Sequence, residues 1–378
     1  MTEIHGFCDE KFAAVREAFA NNFATQEEVG ACVALSVEGE IVVDLWGGHR
    51  DQAGTLPWEE NTIVNVYSST KTMAALCMLL LADRGEVDLY APVARYWPEF
   101  AENGKDTVEV RHFMSHSAGL SGMDEPMSGE AFYDWDAVVE ALARQAPWWE
   151  PGSASGYHAL TQGHLIGEVV RRVSGRSLGQ FFADEIAGPL RADFHIGTGP
   201  EYADRIGELI PPPASTATSP DADPNSISAR TFANPAVDAR ASATPGWRQA
   251  EIPAANGHGN ARAIVRAQTP MANGGSAFGV DLLSAEGAAR VFDEQTNGDD
   301  LVLGVPLRFG MGYGLTSPLM PMGPNEHIGY WGGWGGSTVV IDQDAHVCCS
   351  YVMNKMFEGL LGDTRGFSLL QAAYASLD

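Results

Sequence analysis

The feature that most constrains this fold is a stretch of chain that is apolar on every side. Residues 72–83 read TMAALCMLLLAD, and Gly85 follows as a stop signal. A helix without a polar face is stable only where other elements cover it all round. The sequence therefore predicts a helix that runs through the middle of the protein and not along its surface.

Strand patterns occur at both ends of the chain, and helical patterns lie between them. Two half-buried strands with a turn at Glu38–Gly39 are expected near the start, and the runs STVVID and AHVCCSYVMN are expected to be strands near the end. Apolar spacing and stop signals predict further helices at residues 9–24 (with Asp9 as N-cap), 135–144, 160–173 and 366–376.

This order of elements predicts an α/β (α+β) fold in which one antiparallel sheet is assembled from both termini and flanked by helices. We expect a single catalytic domain, 1–378, made of an α/β subdomain (about 1–66 plus 300–378) and an inserted, mainly helical subdomain (about 67–299). Residues 211–247 are rich in Pro, Ala, Ser and Asp and are predicted to be a long irregular excursion. Such a segment is either a pocket wall or a flexible linker.

Composition and charge limit the partners of the chain. Of its 378 residues 45% are hydrophobic and 19% charged, which is typical of a globular protein. A net charge of −26 repels phosphate backbones and anionic lipids, so we expect no nucleic-acid partner and no membrane partner. No signal peptide and no membrane-length apolar run are visible, which predicts a cytoplasmic protein. The oligomeric state stays open.

The tetrapeptide Ser68–Ser69–Thr70–Lys71 stands at the start of the apolar helix. Ser-x-x-Lys at this place puts both side chains on one face, one turn apart. A serine hydroxyl is a weak nucleophile that needs a base, and a lysine can serve when burial lowers its pKa. We therefore predict that Ser68 is activated by Lys71. An N-cap serine beside a chance lysine is the alternative, and Ser69 lacks the required spacing.

Two further segments carry candidate functional groups. Tyr157 stands in a glycine-rich loop before a helix, and a phenol whose pKa is lowered by a nearby lysine can shuttle protons. The run 331–337 reads WGGWGGS, which lets the backbone approach a ligand and offer an N–H group to an oxyanion. A packed tyrosine and a glycine-rich hairpin bend are the alternatives.

Together with three blocks of sequence, these motifs resemble the serine β-lactamase and DD-peptidase superfamily. The blocks are HSAGL (116–120), PGSASGYHALTQGHLIGEVVRRVSGRSLGQFF (151–182) and NARAIVRA (260–267). The closest likeness is to the class C-like esterases called family VIII carboxylesterases, and it extends over almost the whole chain. It implies a β-lactamase/transpeptidase-like fold.

The resemblance also implies a role for each motif residue. Ser68 is expected to be the nucleophile, Lys71 its base partner and Tyr157 the second proton carrier. The backbone N–H groups of Ser68 and Trp334 are expected to form the oxyanion hole. No metal and no cofactor is needed for this chemistry.

Two departures from the β-lactamase pattern bear on the substrate. Trp331, Gly332 and Gly333 are expected to bind substrate where the lactamases have Lys-Thr-Gly, so an anionic lactam loses its cationic clamp. Ala159 replaces the asparagine of the second motif, which removes an amide that would contact an amide substrate and Lys71. Both changes favour small neutral esters. The sequence therefore predicts a serine carboxylesterase that hydrolyses short-chain acyl esters through an acyl-enzyme on Ser68.

Other functions are weighed against this one. An acyltransferase, a D-amino acid peptidase or a weak β-lactamase could use the same three residues, and a catalytically silent binding protein is a further alternative. The nearest approach to Gly-x-Ser-x-Gly, at 115–119, lacks the first glycine, which argues against an α/β-hydrolase triad. His112 and His116 have the spacing of a zinc pair, but Phe113 occupies the place of a zincin's catalytic glutamate. Packing roles are therefore preferred for both histidines.

Overall fold

A large antiparallel sheet carries the fold, as seen in a computed structural model that describes residues 2–212 and 223–377. The strands are β1 (Ile4–Cys8), β2 (Gly30–Val37), β3 (Glu40–Gly48), β4 (Val64–Asn65), β5 (His258–Gly259), β6 (Ser276–Ala277), β7 (Val280–Asp281), β8 (Thr296–Asp299), β9 (Pro306–Phe309), β10 (Gly314–Leu315), β11 (Ile328–Gly332), β12 (Thr338–Asp342) and β13 (Val347–Met353). The α-helices are α1 (Ala13–Thr25), α2 (Thr70–Asp83), α3 (Val110–Met114), α4 (Trp135–Arg144), α5 (Thr161–Ser174), α6 (Leu178–Phe182), α7 (Gly188–Leu190), α8 (Ile227–Ala233), α9 (Pro245–Gln249), α10 (Ala261–Ala272), α11 (Ala285–Ala289) and α12 (Thr364–Ala375).

Within the described ranges, nine strands form the main sheet in the order β1-β3-β2-β13-β12-β11-β10-β9-β8. Strands β2 and β3 form the predicted hairpin with its turn at Glu38–Gly39, and β2 pairs with β13 with Val33 opposite Tyr351. Strands from the two ends of the chain therefore pair inside one sheet, which confirms the predicted fold class. The patterns above do not predict β1, because its buried and exposed residues do not alternate.

Helices cover both faces of this sheet. Cys348 and Cys349 are neighbours on β13 and point to opposite faces, yet both are buried. Cys349 lines a small cavity together with Phe367 and Leu370 of α12, and α10 packs against β2, β12 and β13. All five cysteines lie in the described ranges and are free thiols, as the lack of a Cys-x-x-Cys spacing suggests.

The central helix α2 is buried along almost its whole length, from Thr70 to Ala82. It packs against α5, α6 and α11, and this confirms the position expected from its apolar sequence. The first helix differs from expectation at its start. A 3₁₀ turn at Glu10–Phe12 precedes α1, and the side chain of Asp9 makes no capping hydrogen bond, so the predicted N-cap is wrong.

The predicted excursion at residues 211–247 contains short helices. Its described part includes α8, a 3₁₀ turn at Ala239–Ala243 and the start of α9, so the prediction of irregular chain is wrong there. The remainder of that prediction, residues 213–222, lies outside the described residues. Tyr67 Oη donates to the Ala239 carbonyl at 3.2 Å, which fastens this segment to the start of α2.

None of the described helices combines the length and the hydropathy that a bilayer crossing requires. The division into two subdomains stays a prediction. Helix α10, which lies in the middle part of the chain, nevertheless packs on the sheet built from the two ends.

We predict that Leu79→Ala in α2 lowers the free energy of unfolding by about 2–5 kcal/mol, because it removes a fully buried side chain and leaves a cavity. Leu319→Ala is the matched control, since Leu319 is 69% exposed, and it should change stability by less than about 0.5 kcal/mol. Urea unfolding monitored by circular dichroism measures both. Equal losses in the two variants would show that α2 is not central.

Candidate active site

The turn before α2 exposes one side chain in an otherwise buried stretch. Between Thr62 and Ala82, all of which the structure describes, only Ser68 is partly exposed. Tyr67 precedes it with φ of 44°, a left-handed backbone conformation that is unusual for a tyrosine. The Tyr67 ring packs against Trp334 with centroids 5.2 Å apart, and this contact helps to hold the turn that presents the Ser68 hydroxyl.

Lys71 lies one helical turn below Ser68, as the motif predicts. Its Nζ is 3.1 Å from Ser68 Oγ, and it donates to the carbonyl oxygens of Ala159 at 2.7 Å and Ala254 at 2.9 Å. Burial lowers the pKa of Lys71 well below the ordinary 10.5. The three contacts also fit a free amine, which has two N–H groups for the carbonyls and one lone pair for the serine.

The backbone of Ala159 makes the contact to Lys71 that the resemblance assigns to an asparagine side chain. In this chain the backbone at that position supplies an acceptor for Lys71 in place of a side-chain amide. The position therefore still holds the lysine, although it offers no amide group to a substrate.

Tyr157 reaches the same serine from the opposite side. Its hydroxyl donates to Ser68 Oγ at 2.5 Å, and its ring lies 4.7 Å from Lys71 Nζ. Burial raises the pKa of Tyr157 above the ordinary 10.0, so the prediction that the lysine lowers it is wrong. Desolvation of the phenolate is the dominant effect here. The side chain is therefore a hydrogen-bond donor at neutral pH.

A buried carboxylate sets the position of the tyrosine backbone. Asp300 Oδ1 accepts from the N–H of Tyr157 at 3.0 Å and also from the N–H groups of Val302 and Leu303. Asp300 is 1% exposed. Asp300 belongs to none of the sequence motifs, because a side chain that accepts from a backbone N–H places no requirement on the identity of its partner.

Trp331 packs against the tyrosine instead of standing free in a pocket. It is 2% exposed, and its ring lies 5.3 Å from those of Tyr157 and Phe309. The indole Nε1 has no acceptor among the described residues. Ile227 of α8 packs on the same cluster. The described part of the 211–247 segment therefore contacts the site region, as a pocket wall would.

His116 joins this aromatic cluster through its ring, 5.0 Å from that of Tyr157. Its Nδ1 accepts from the N–H of His158 at 3.0 Å, and burial lowers its pKa well below the ordinary 6.5. In His112, Nδ1 accepts from the N–H of Glu109. Both histidines thus have packing partners, and no group of three or more His, Cys, Asp or Glu side chains in residues 2–212 and 223–377 is arranged to hold a metal ion.

The glycine-rich turn after β11 meets the serine turn directly. A Cβ on Gly333 would collide with the Val66 carbonyl and lie 3.2 Å from the Ser68 nitrogen, so only glycine fits. The hydroxyl of Ser337 donates to the Val66 carbonyl at 2.9 Å and shares a hydrogen bond with that of Ser69. This contact occupies Ser69, the rival for the nucleophile.

Two backbone N–H groups are unoccupied at this junction. Neither the Ser68 N–H nor the Trp334 N–H donates to any residue that the structure describes. Gly332 ends β11, where a Cβ would lie 2.6 Å from the Leu361 carbonyl carbon. The predicted site residues are therefore brought together, with Ser68 at their centre.

A family model described as Beta-lactamase matches residues 15–373 of the chain. The esterase/β-lactamase LipL of Mycobacterium tuberculosis is 36% identical over an alignment of 378 positions that covers 96% of this chain and 86% of LipL.

Solved structures give the same relationship. A family VIII carboxylesterase superposes with a TM-score of 0.93 at 42% identity, covering 99% of this chain and 100% of that one. A penicillin-binding protein homologue from Caulobacter crescentus has a TM-score of 0.92 at 39% identity, with the same coverage. This chain belongs to the β-lactamase family and is a serine hydrolase of its esterase and β-lactamase group.

Proposed function

We propose that this protein is a serine carboxylesterase that hydrolyses small, short-chain acyl esters through an acyl-enzyme on Ser68. The observation that carries the proposal is the position of Ser68 Oγ, 3.1 Å from Lys71 Nζ and 2.5 Å from Tyr157 Oη. One neighbour has a lowered pKa and the other a raised one. Such a pair divides the work between a base and an acid.

Lys71 acts as the base in this proposal. As a free amine it accepts the Ser68 proton while Oγ attacks the ester carbonyl, and the two backbone carbonyls hold its N–H groups. The Tyr157 hydroxyl donates to Oγ and so stabilises charge that develops on it. When the alkoxide departs, the proton on Lys71 reaches it by way of Tyr157, and both groups are restored. Water then attacks the acyl-enzyme by the same route.

The oxyanion is held by the N–H groups of Ser68 and Trp334. Both are unoccupied in the described chain, and Gly333 lets the second approach the first. A preorganised donor of this kind lowers the barrier by roughly 3–4 kcal/mol. The two donors therefore supply a large part of the expected rate enhancement.

The substrate preference is inferred from what the site lacks. Trp331 places a buried apolar ring where a lysine would clamp a carboxylate, and Ala159 offers no side-chain amide. Similarity to an esterase/β-lactamase and to a family VIII carboxylesterase supports an ester substrate. An acyltransferase, a D-amino acid peptidase or a weak β-lactamase remains the alternative on the same three residues.

The nucleophile is tested with p-nitrophenyl butyrate and a chromogenic cephalosporin, assayed side by side. Wild type should hydrolyse the ester much faster than the cephalosporin. Ser68→Ala should lose about 10⁴-fold or more of kcat/KM for the ester, because no group replaces the attacking oxygen.

Ser69→Ala is the matched control, since it removes the adjacent hydroxyl and should retain far more activity than Ser68→Ala. Ester turnover that survives Ser68→Ala would refute the nucleophile. Efficient cephalosporin cleavage would instead indicate that the substrates are β-lactams.

The pH dependence of kcat/KM tests the base. Activity requires the free amine of Lys71, whose pKa lies well below the ordinary 10.5 because the side chain is buried. The acid limb of the profile should therefore lie well below pH 10. Burial raises the pKa of Tyr157, so no alkaline loss is expected up to about pH 10. A rate that climbs steadily to pH 10 would mean that the pKa of Lys71 is that of an exposed lysine.

A further inference from the structure

A buried ion network lies directly behind the glycine-rich turn. Arg365, in the first turn of α12, pairs through Nη2 with Asp363 at 2.6 Å and through Nη1 with Glu28 at 3.1 Å. The side chains of Arg365 and Glu28 are fully buried, and the guanidinium stacks 3.8 Å over the Phe357 ring. Burying such charges is costly, and buried ion pairs are weak evidence for stability alone. The remaining contacts of the guanidinium are therefore informative.

The guanidinium begins a chain of hydrogen bonds that ends at the oxyanion donor. Arg365 Nη2 donates to the Gly335 carbonyl at 2.9 Å. The same peptide unit carries the Gly336 N–H, which donates to the Gly333 carbonyl at 3.1 Å. That second peptide unit carries the N–H of Trp334. In a trans peptide the C=O and N–H groups point in opposite directions, so each link fixes the direction of the next.

Other contacts restrain the same turn but are not part of this series of hydrogen bonds. The Gly335 carbonyl also accepts from the Phe357 N–H at 3.0 Å, and the Gly335 N–H donates to Gly359 at 3.0 Å. Gly336 has φ of 127°, and a Cβ there would collide with Asp363 Oδ2. The glycine-rich turn thus packs closely against the ion network. Among the described residues, Arg365 is the positively charged side chain of that network.

We propose that Arg365 is a positioning residue of the oxyanion hole, which orients and polarises the Trp334 N–H through two peptide units. A cation at one end of a hydrogen-bonded chain strengthens each later donor, because the bonds polarise one another. The inference rests on the proposed function, since it assigns the Trp334 N–H to the oxyanion. Arg365 does not touch the substrate.

A purely structural role for Arg365 makes a different prediction. Loss of stability lowers the fraction of molecules that are active but leaves the rate at each active site unchanged. A positioning role lowers the rate at each site and weakens any ligand that carries an oxyanion. Active sites are counted by the burst of p-nitrophenol, and a trifluoromethyl ketone, whose hemiketal oxygen is an oxyanion, serves as the ligand.

The variants are Arg365→Gln and Arg365→Lys. For Arg365→Gln we expect kcat per active site to fall by about 10–100-fold, a fraction of the loss seen when an oxyanion donor is removed outright. The inhibition constant of the trifluoromethyl ketone should rise by a similar factor, while KM changes little. Arg365→Lys keeps the charge and should recover part of both effects.

Arg262→Gln is the matched control. Arg262 pairs with Asp44 at 2.8 Å, with side chains 19% and 18% exposed, and its other hydrogen bonds go to Glu60 and Asn61, away from the glycine-rich turn. It should lose stability and keep the wild-type kcat per active site. Should Arg365→Gln not fold, Glu28→Gln removes one partner of the guanidinium, and we expect a smaller loss with the same parallel rise of the inhibition constant.

The positioning role of Arg365 and the proposed function are overturned by different results. Wild-type kcat per site and wild-type inhibition in the folded variants of Arg365 and Glu28 would overturn the positioning role and leave the esterase intact. An absent burst in wild type, with ester turnover that survives Ser68→Ala, would overturn the proposed function itself.

Discussion

The proposed chemistry of this protein depends on a lysine that is buried without a carboxylate partner among the described residues. Lys71 Nζ is surrounded by the carbonyls of Ala159 and Ala254 and by the hydroxyl of Ser68. Carbonyl dipoles compensate an ammonium only in part, and desolvation therefore shifts the equilibrium toward the free amine. This environment exists because α2 is apolar on every side and is covered on every side. The unusual composition of one helix thus sets the protonation of the group at its start.

The sheet contributes by holding a second segment against the helix. Gly333 fits against Val66, and Ser337 is hydrogen-bonded to the same carbonyl, so the end of β11 and the start of α2 meet at fixed distance. Tyr157 arrives from a third segment, which Asp300 anchors by its backbone. The candidate functional groups come from parts of the chain that are far apart in sequence. Their geometry is consequently a property of the whole fold, and local sequence alone does not determine it.

Those parts of the fold and of the candidate site that depend on side-chain spacing could be predicted from the sequence, and those that depend on backbone contacts could not. The Ser68–Lys71 spacing and the apolar run after it predicted a helix with both groups on one face, and the strands at both termini predicted the sheet. The lysine's carbonyl partner at Ala254 was beyond prediction, because any residue offers the same backbone oxygen. The role of Arg365 was equally beyond prediction, because its link to the glycine-rich turn is made to a backbone carbonyl, that of Gly335. The direction of the Tyr157 pKa was wrong because the sequence showed a nearby cation but not the burial that outweighs it.

The central claim is that Ser68 carries the acyl group during turnover, and trapping that intermediate tests it most directly. Wild type would be mixed with p-nitrophenyl butyrate, quenched in acid within the burst, and digested for mass spectrometry. The account predicts a butyryl group on the peptide that contains Ser68, with fragment ions that assign it to that residue. A butyryl group on another residue, or a burst with no covalent adduct, would contradict it.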